Sequence, residues 1–248
     1  GSDTLYDTDL HFTTDNSRLV LIQNGRVSML NLQTFVWEKA VWKIEFSGGT
    51  GLSGDGRFLY YFASDYSKNE GKLLKLDLAT GKSARLLSFK VEEGASYGGK
   101  LSFNADESLL LASGLIDDGG VLIDLKNLKV VRQFKAPYWP LFINPAGNLI
   151  VNSKVLTGNS DQDTYGTNKK FKVEEIDPGT MKVLRTMTIA TKSDDIPDYN
   201  GILWISDNGR DKILYEMNER FYIANTNNFT QSKRNQPKFN IESGSTNS

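Results

Sequence analysis

A short apolar run that ends on Asp or Asn and breaks into a turn recurs five times along this chain of 248 residues. The copies are VSMLNLQTF at 27–35, LLKLDLATG at 73–81, VLIDLKNL at 121–128, VEEIDPGTM at 173–181 and FYIANTNNF at 221–229. Their polar anchors, Asn31, Asp77, Asp124, Asp177 and Asn225, are 46, 47, 53 and 48 residues apart. A period of that size marks one supersecondary unit repeated, and a unit that cannot bury its own apolar surface must stack on its neighbours. Each anchor suits the first position of a turn, where a short carboxylate or amide accepts hydrogen bonds from backbone N–H groups two residues on. A second short strand follows four of the turns, as in FVWEKAVW, SARLLSF, KVVRQF and KVLRTMTI, so each unit contains a hairpin here.

Upstream of each hairpin lies another strand pair: DLHFTTDNSRLVLI at 9–22, GLSGDGRFLYYFA at 51–63, KLSFNADESLLLAS at 100–113, LFINPAGNLIVNS at 141–153 and ILWISDNGRDKILYE at 202–216. The turns inside these pairs carry Asp15-Asn16, Asp55-Gly56, Ala105-Asp106, Ala146-Gly147 and Asn208-Gly209. Four strands per unit and five units predict an all-β chain, with no stretch holding a helical period over three or four turns. A radial stack of four-stranded blades, a β-propeller of five blades, accounts for the fivefold echo. A β-sandwich is the competing all-β architecture, and it does not explain why the same two turns return five times. The predicted organisation is one propeller domain over residues 1–241 and a small, polar tail, ESGSTNS at 242–248, expected to be disordered.

The second unit, GDGRFLYYFAS at 54–64 followed by GKLLKLDLATGK at 71–82, resembles the YVTN/WD40-like propeller repeats common in bacterial and cell-surface proteins. The likeness runs from about Leu5 to Phe239 and implies a fold more than an activity. Two departures stand out, the absence of a Gly-His pair and of a Trp-Asp dipeptide, so the hydrogen-bond network of ordinary WD40 blades is not expected here. Six or seven blades are commoner than five in YVTN-like propellers, whereas the positions of the first inner and last outer strands suggest a complete ring.

Charge and composition remove several function classes. A formal net charge of -1 with scattered Lys and Arg offers no basic stripe for a phosphate backbone, so no nucleic-acid partner is expected. The absence of cysteine removes disulfides, thiolate catalysis and haem attachment through Cys-x-x-Cys-His together. No run approaches the roughly 18 apolar residues of a membrane helix, so no membrane insertion is expected. The opening Gly1-Ser2 has the look of a cloning scar, and a slight preference goes to an extracytoplasmic, periplasmic or cell-surface, location.

Strand alternation sends the connections between second and third strands, and between blades, to one face. There the long segments fall at 64–71, 90–99, 114–120, 156–170 and 190–200, while tight turns close the opposite face. An aromatic recurs just before an inner strand, as Tyr6, Tyr97, Tyr138 with Trp139, and Tyr199. Large rings that cost little entropy suit a binding surface, although packing between blades would use them equally well. The run GNSDQDTYG at 158–166 imitates a calcium loop but lacks its Gly and Glu, with Thr164 and Lys170 in their places. SDDIPDY at 193–199 reads as an acidic soluble loop, and Asn228-Phe229-Thr230 fits a glycosylation sequon. The one histidine, His11, has no nucleophile elbow beside it and is expected to be packed or to line the channel.

Two functional expectations follow. The first is a monomeric, non-enzymatic scaffold without cofactor, metal or catalytic residues, belonging to a larger assembly or a cell-envelope system. It binds a protein or peptide through Tyr97, Tyr138, Trp139, Asp198 and Tyr199. The second is a propeller hydrolase, a glycoside hydrolase or metal-dependent lactonase, with Asp7, Asp9, Asp198 and Asn200 near the channel mouth.

Overall fold

A computed structural model of the chain describes residues 8–45, 49–65, 68–90, 101–113, 120–134, 139–155, 170–190, 198–207, 210–217, 220–225 and 230–233. Side chains are described for the same residues except 39–40, 64–65, 139–141, 152–155, 170–172 and those from 187 onward. The described residues form twenty strands in five four-stranded antiparallel sheets, each a meander in sequence order. The first holds β1 (Thr8–Phe12), β2 (Arg18–Gln23), β3 (Arg26–Asn31) and β4 (Val36–Lys43), and the second β5 (Thr50–Leu52), β6 (Phe58–Asp65), β7 (Glu70–Asp77) and β8 (Ser83–Lys90). The third holds β9 (Leu101–Phe103), β10 (Leu109–Ser113), β11 (Gly120–Asp124) and β12 (Lys129–Phe134). The fourth holds β13 (Trp139–Ile143), β14 (Leu149–Val155), β15 (Lys170–Ile176) and β16 (Val183–Ala190), and the fifth β17 (Asp198–Asp207), β18 (Arg210–Met217), β19 (Arg220–Asn225) and β20 (Thr230–Lys233). The chain divides into two compact units, residues 1–153 with 173–185, and residues 154–172 with 186–248.

Within the first unit, alternation along each strand feeds two separate cores. Leu59, Tyr61 and Leu76 of the second sheet pack on Val20, Ile22, Val27 and Met29 of the first, while Phe62 and Leu73, on the other face, pack on Leu110, Ala112, Val121 and Ile123 of the third. Leu111 and Leu122 of the third sheet point the other way and meet Ile143, Leu149, Val151 and Ile176 of the fourth. Sheets covered on both faces read as continuous apolar runs, and this is why FLYYFA and LLLAS carry little polar alternation. The inner strands come closest, since a Cβ built on Gly51 of β5 would lie 2.8 Å from a Phe103 ring carbon and 2.9 Å from Leu101 Cβ. One apolar row crosses the first sheet on its far face: Phe12, Leu19, Leu30 and Trp37 stand opposite one another in register. They are the equivalents of Phe103, Leu110, Ile123 and Val130 in the third sheet, yet Phe12 is 62% and Trp37 49% exposed.

The repeated turns are built as their residues dictate. At the first hairpin of sheets one to four, the backbone carbonyl of Thr13, Ser53, Asn104 or Asn144 accepts the N–H three residues on. The side chain of the same residue accepts the N–H of Arg18, Phe58, Leu109 or Asn148 as the strand resumes. Asn16, Gly56, Glu107 and Gly147 then take left-handed backbone angles. The hydroxyl of Thr13 and the amide of Ser17 hold the Asp15 carboxyl down at about 2. In the fifth sheet Asp207 pairs with Arg210, leaving a two-residue connection in place of this longer turn.

At the second hairpin the expected anchors act as read. Oδ1 of Asn31 accepts the amides of Gln33 and Thr34, that of Asp77 those of Ala79 and Thr80, and that of Asp177 those of Gly179 and Thr180. Asp124 accepts from the Asn127 amide and side chain. The turn closes four residues after each anchor in a left-handed residue: Phe35, Gly81, Leu128 and Met181. The two hairpins of one sheet are tied together, because the amide after the anchor, on Leu32, Leu78 or Leu125, donates to the carbonyl of Ser17, Arg57 or Ser108.

Two side-chain links stiffen this end further. Trp42 donates from Nε1 to the Leu78 carbonyl at 3.2 Å and lies across Gly81. In the fourth sheet the buried Glu175 carboxylate accepts from Asn144 Nδ2 at 3.0 Å, Asn148 Nδ2 at 2.7 Å and Arg185 Nε at 2.6 Å.

Gly81→Ala puts a Cβ into the Trp42 ring at a φ of +70°, where an L-residue already costs about 1–2 kcal/mol, so the loss should exceed that figure in urea unfolding. Leu128→Gly, at the equivalent left-handed position, should stabilise and acts as the paired control. Arg185→Leu leaves Glu175 buried beside two amides only, and a loss of about 3–5 kcal/mol is expected, against a much smaller loss for Glu175→Gln with Arg185→Leu together.

Candidate functional site

Because every sheet is an antiparallel meander, its own first and second hairpins lie at one end of that sheet. The connections from second to third strand, and the starts of the inner strands, lie at the other. This second end is uneven. In the first sheet Gln23 pairs with Arg26 across Asn24 and Gly25, both left-handed at φ 49° and 70°, the primed geometry that matches strand twist. The second sheet pairs as far as Asp65 with Glu70, so the excursion expected over 64–71 narrows to 66–69. In the third and fourth sheets the strands stop at Ser113 and Val155 and resume at Gly120 and Lys170. The fifth returns to a short connection, with Met217 opposite Arg220. The larger excursions therefore belong to consecutive sheets, and the calcium-like run at 158–166 falls outside the described residues.

Inner strands β13 and β17 both enter at this end through a break in their ladders. Pro140 pairs with Val151 but Phe142 with Ile150, so Leu141 is an extra residue. Asp198 pairs with Glu216 and the next pair is Leu203 with Leu214, so the four residues Tyr199–Ile202 of β17 stand against Tyr215 alone. Inner strands β1, β5 and β9 pair without such breaks. Bulges re-aim side chains and are enriched beside functional sites. Their local signals are Pro140, which withholds a ladder donor on an edge strand, and Gly201.

The expected anchors distribute over this geometry as follows. Trp139 opens β13 opposite Asn152, three residues before β14 ends. Asp198 and Tyr199 open β17 at and within its bulge, in the other compact unit. Tyr6, Tyr97 and Tyr138 lie outside the described residues.

Of the carboxylates considered for hydrolysis, Asp7 is outside the described residues and Asp9 is engaged. Asp9 Oδ2 accepts the Thr50 amide at 3.1 Å and the Thr50 hydroxyl at 2.7 Å, and the Thr50 oxygen lies 2.6 Å from His11 Nε2. This triad joins inner strands β1 and β5 near the loop-bearing end. Burial lowers the His11 pKa, against the opposing attraction of Asp9. The sequence marks His11 as packed or channel-lining but gives no signal for Thr50, which is 2% exposed. Among the described residues no three of His, Cys, Asp and Glu are grouped to hold a metal ion. No helix among them is long and apolar enough to cross a membrane.

No family model matches the sequence, and no curated protein matches it. Solved structures do. The chain is similar to hydrazine synthase of Kuenenia stuttgartiensis, with a TM-score of 0.60 and 14% identity over 94% of this chain and 68% of that one. It is similar to an oligogalacturonate lyase determined in complex with manganese, with a TM-score of 0.59 and 17% identity over 90% of this chain and 63% of the other. A third likeness is to the WD40 domain of Neurospora crassa Pan2, with a TM-score of 0.56 and 11% identity, covering 90% and 64%. The chain spans about two thirds of the length of these structures. At such identities the likeness concerns architecture alone, and with the repeated four-stranded meanders it gives the conclusion that this chain has the all-β, WD40-like β-propeller fold.

Proposed function

We propose that the chain is a non-enzymatic propeller scaffold, one domain over residues 1–241, that takes up a protein or an extended peptide at the end bearing the longer excursions. The observation that carries this reading is the asymmetry between the two ends. One is tied down by the same two turns in sheet after sheet, and at the other β13 and β17 each break their own ladder beside an expected anchor, Trp139 and Tyr199. A rigid base with variable segments at one end is what a binding surface needs, since preorganisation lowers the entropic cost of association. Tyr97, Tyr138, Trp139, Asp198 and Tyr199 are the proposed contacts, with the rings as anchors and Asp198 setting polarity. Membership of a larger assembly or a cell-envelope system goes with this role, and WD40 architecture, as in the Pan2 neighbour, is compatible with it.

The alternative, a hydrolase at the channel mouth, has an enzyme among its structural neighbours in the oligogalacturonate lyase. It is the weaker reading because Asp9, one of the four oxygen donors it would use, already accepts both hydrogen bonds that Thr50 can give.

Affinity capture from the native source supplies the partner, and binding is then compared for wild type, Trp139→Ala, Tyr199→Ala and Phe35→Ala. Phe35 is 77% exposed at the opposite, turn-bearing end and serves as the control. The first two substitutions should weaken binding by about 2 kcal/mol or more, as truncated anchor aromatics do, with Phe35→Ala unchanged. Equal affinities for all four proteins would remove the loop-bearing end from consideration.

A further inference from the structure

We propose that Asn24 is a site of spontaneous chemical modification, closing through its own side chain to a succinimide and opening to aspartate or isoaspartate while the hairpin stays paired. The reacting atoms sit on adjacent residues. The Gly25 backbone nitrogen, after losing its proton to hydroxide, attacks Asn24 Cγ; the Cγ–Nδ2 bond breaks and the nitrogen leaves as ammonia. Water then opens the imide at either carbonyl. Both products carry a carboxylate where the amide stood, two residues from Arg26. The isoaspartyl product also gains a backbone methylene in a two-residue loop whose geometry sets the register of β2 against β3, so conversion alters this end of the first sheet irreversibly.

Three features of the turn favour the step. Glycine follows Asn24, so no Cβ crowds the attacking nitrogen. Asn16 and Asn69 share the left-handed backbone, at φ 53° and 49°, but are followed by Ser17 and Glu70. Asn24 is also exposed and borders an open depression of about 600 Å³ with Leu21, Gln23, Arg26, Ser28 and Val41, which brings water to the reacting carbon. Finally, the peptide between Asn24 and Gly25 is free to turn over. Neither its carbonyl nor its N–H has a hydrogen-bond partner among the described residues, whereas the Gly25 carbonyl, one peptide further on, accepts the Ile44 amide at 2.9 Å. Ring closure eclipses the Gly25 nitrogen with Asn24 Cβ, which in an L-residue needs a ψ of about −120°, the value at the first central position of a type II′ turn. Types I′ and II′ share a positive φ at that position, and both join paired strands through two residues. Flipping one peptide therefore carries the hairpin from its observed form to the reactive one with Gln23 still opposite Arg26. A non-glycine residue at the first II′ position is strained, so the reactive form is a minor one, about 5- to 150-fold less populated than the observed turn.

The test follows conversion at Asn24 by peptide mass and isoaspartate detection at mildly alkaline pH, site by site, because Asn200 and Asn208 also precede glycine. The folded chain is held in a urea series that stops short of the unfolding transition, and the urea-unfolded chain is the reference. Folded protein should convert about 5- to 150-fold more slowly than the reference, at a rate that does not depend on urea, since a peptide flip exposes no buried surface. Asn16 and Asn69 should stay intact over the same period. A rate at Asn24 that climbs with urea means that the ladder has to open first, exposing Ile22 and Val27, both fully buried beside the turn, and it overturns the proposal. So does a folded chain that keeps Asn24 intact while the unfolded chain converts.

Discussion

Each interior sheet has to satisfy two neighbours at once, and the rest of the structure follows from that requirement. Tyr61 and Phe62 are adjacent in sequence and fully buried, but one packs toward the first sheet and the other toward the third. Leu110 and Leu111 divide the second and fourth sheets between them in the same way. A single sheet of this kind exposes an apolar face whichever way it turns, so its stability is borrowed from the next one. Register must then be strict, since a slip of one residue would exchange the two faces of a strand and ruin both cores.

That strictness explains the labour invested in the turn-bearing end. The anchor side chain takes two amides, the residue four positions later turns left-handed even where it is Phe, Leu or Met, and the first hairpin answers with its own Thr, Ser or Asn. Non-glycine residues at such angles carry strain, and they persist here because the hydrogen bonds on both sides determine the backbone. With the register held at this end, connections at the other can change length, from two residues in the first sheet to the segments at 114–119 and 156–169, without disturbing the cores. The bulges of β13 and β17 belong to this freer end.

Polar groups placed between and within the sheets show what such a stack tolerates. Asp9 and Thr50 link two inner strands, and Trp42 reaches the Leu78 carbonyl from one sheet to the next. Glu175 collects Asn144, Asn148 and Arg185 inside one sheet. In each case the buried group has its partners, the condition under which a buried charge or hydroxyl is neutral to stability instead of ruinous.

How much of this was legible beforehand divides by sequence distance. The sequence by itself determined the four-strand unit, the anchors Asn31, Asp77, Asp124 and Asp177, and the turn residues. These rest on hydrogen bonds spanning two to five residues and on the alternation of apolar side chains, which local physics dictates. The excursion at 64–71 was overestimated because Ser64, Asp65 and Glu70 look polar and loop-like, yet the ladder continues through them. Only the tertiary structure decided that Thr50 stands between Asp9 and His11, 41 and 39 residues away, that Trp42 covers Gly81, and that β13 and β17 break their ladders where the expected anchors lie. Those contacts depend on which residues of neighbouring strands arrive at the same height, and that is set by the packing of whole sheets, which no single stretch of sequence encodes.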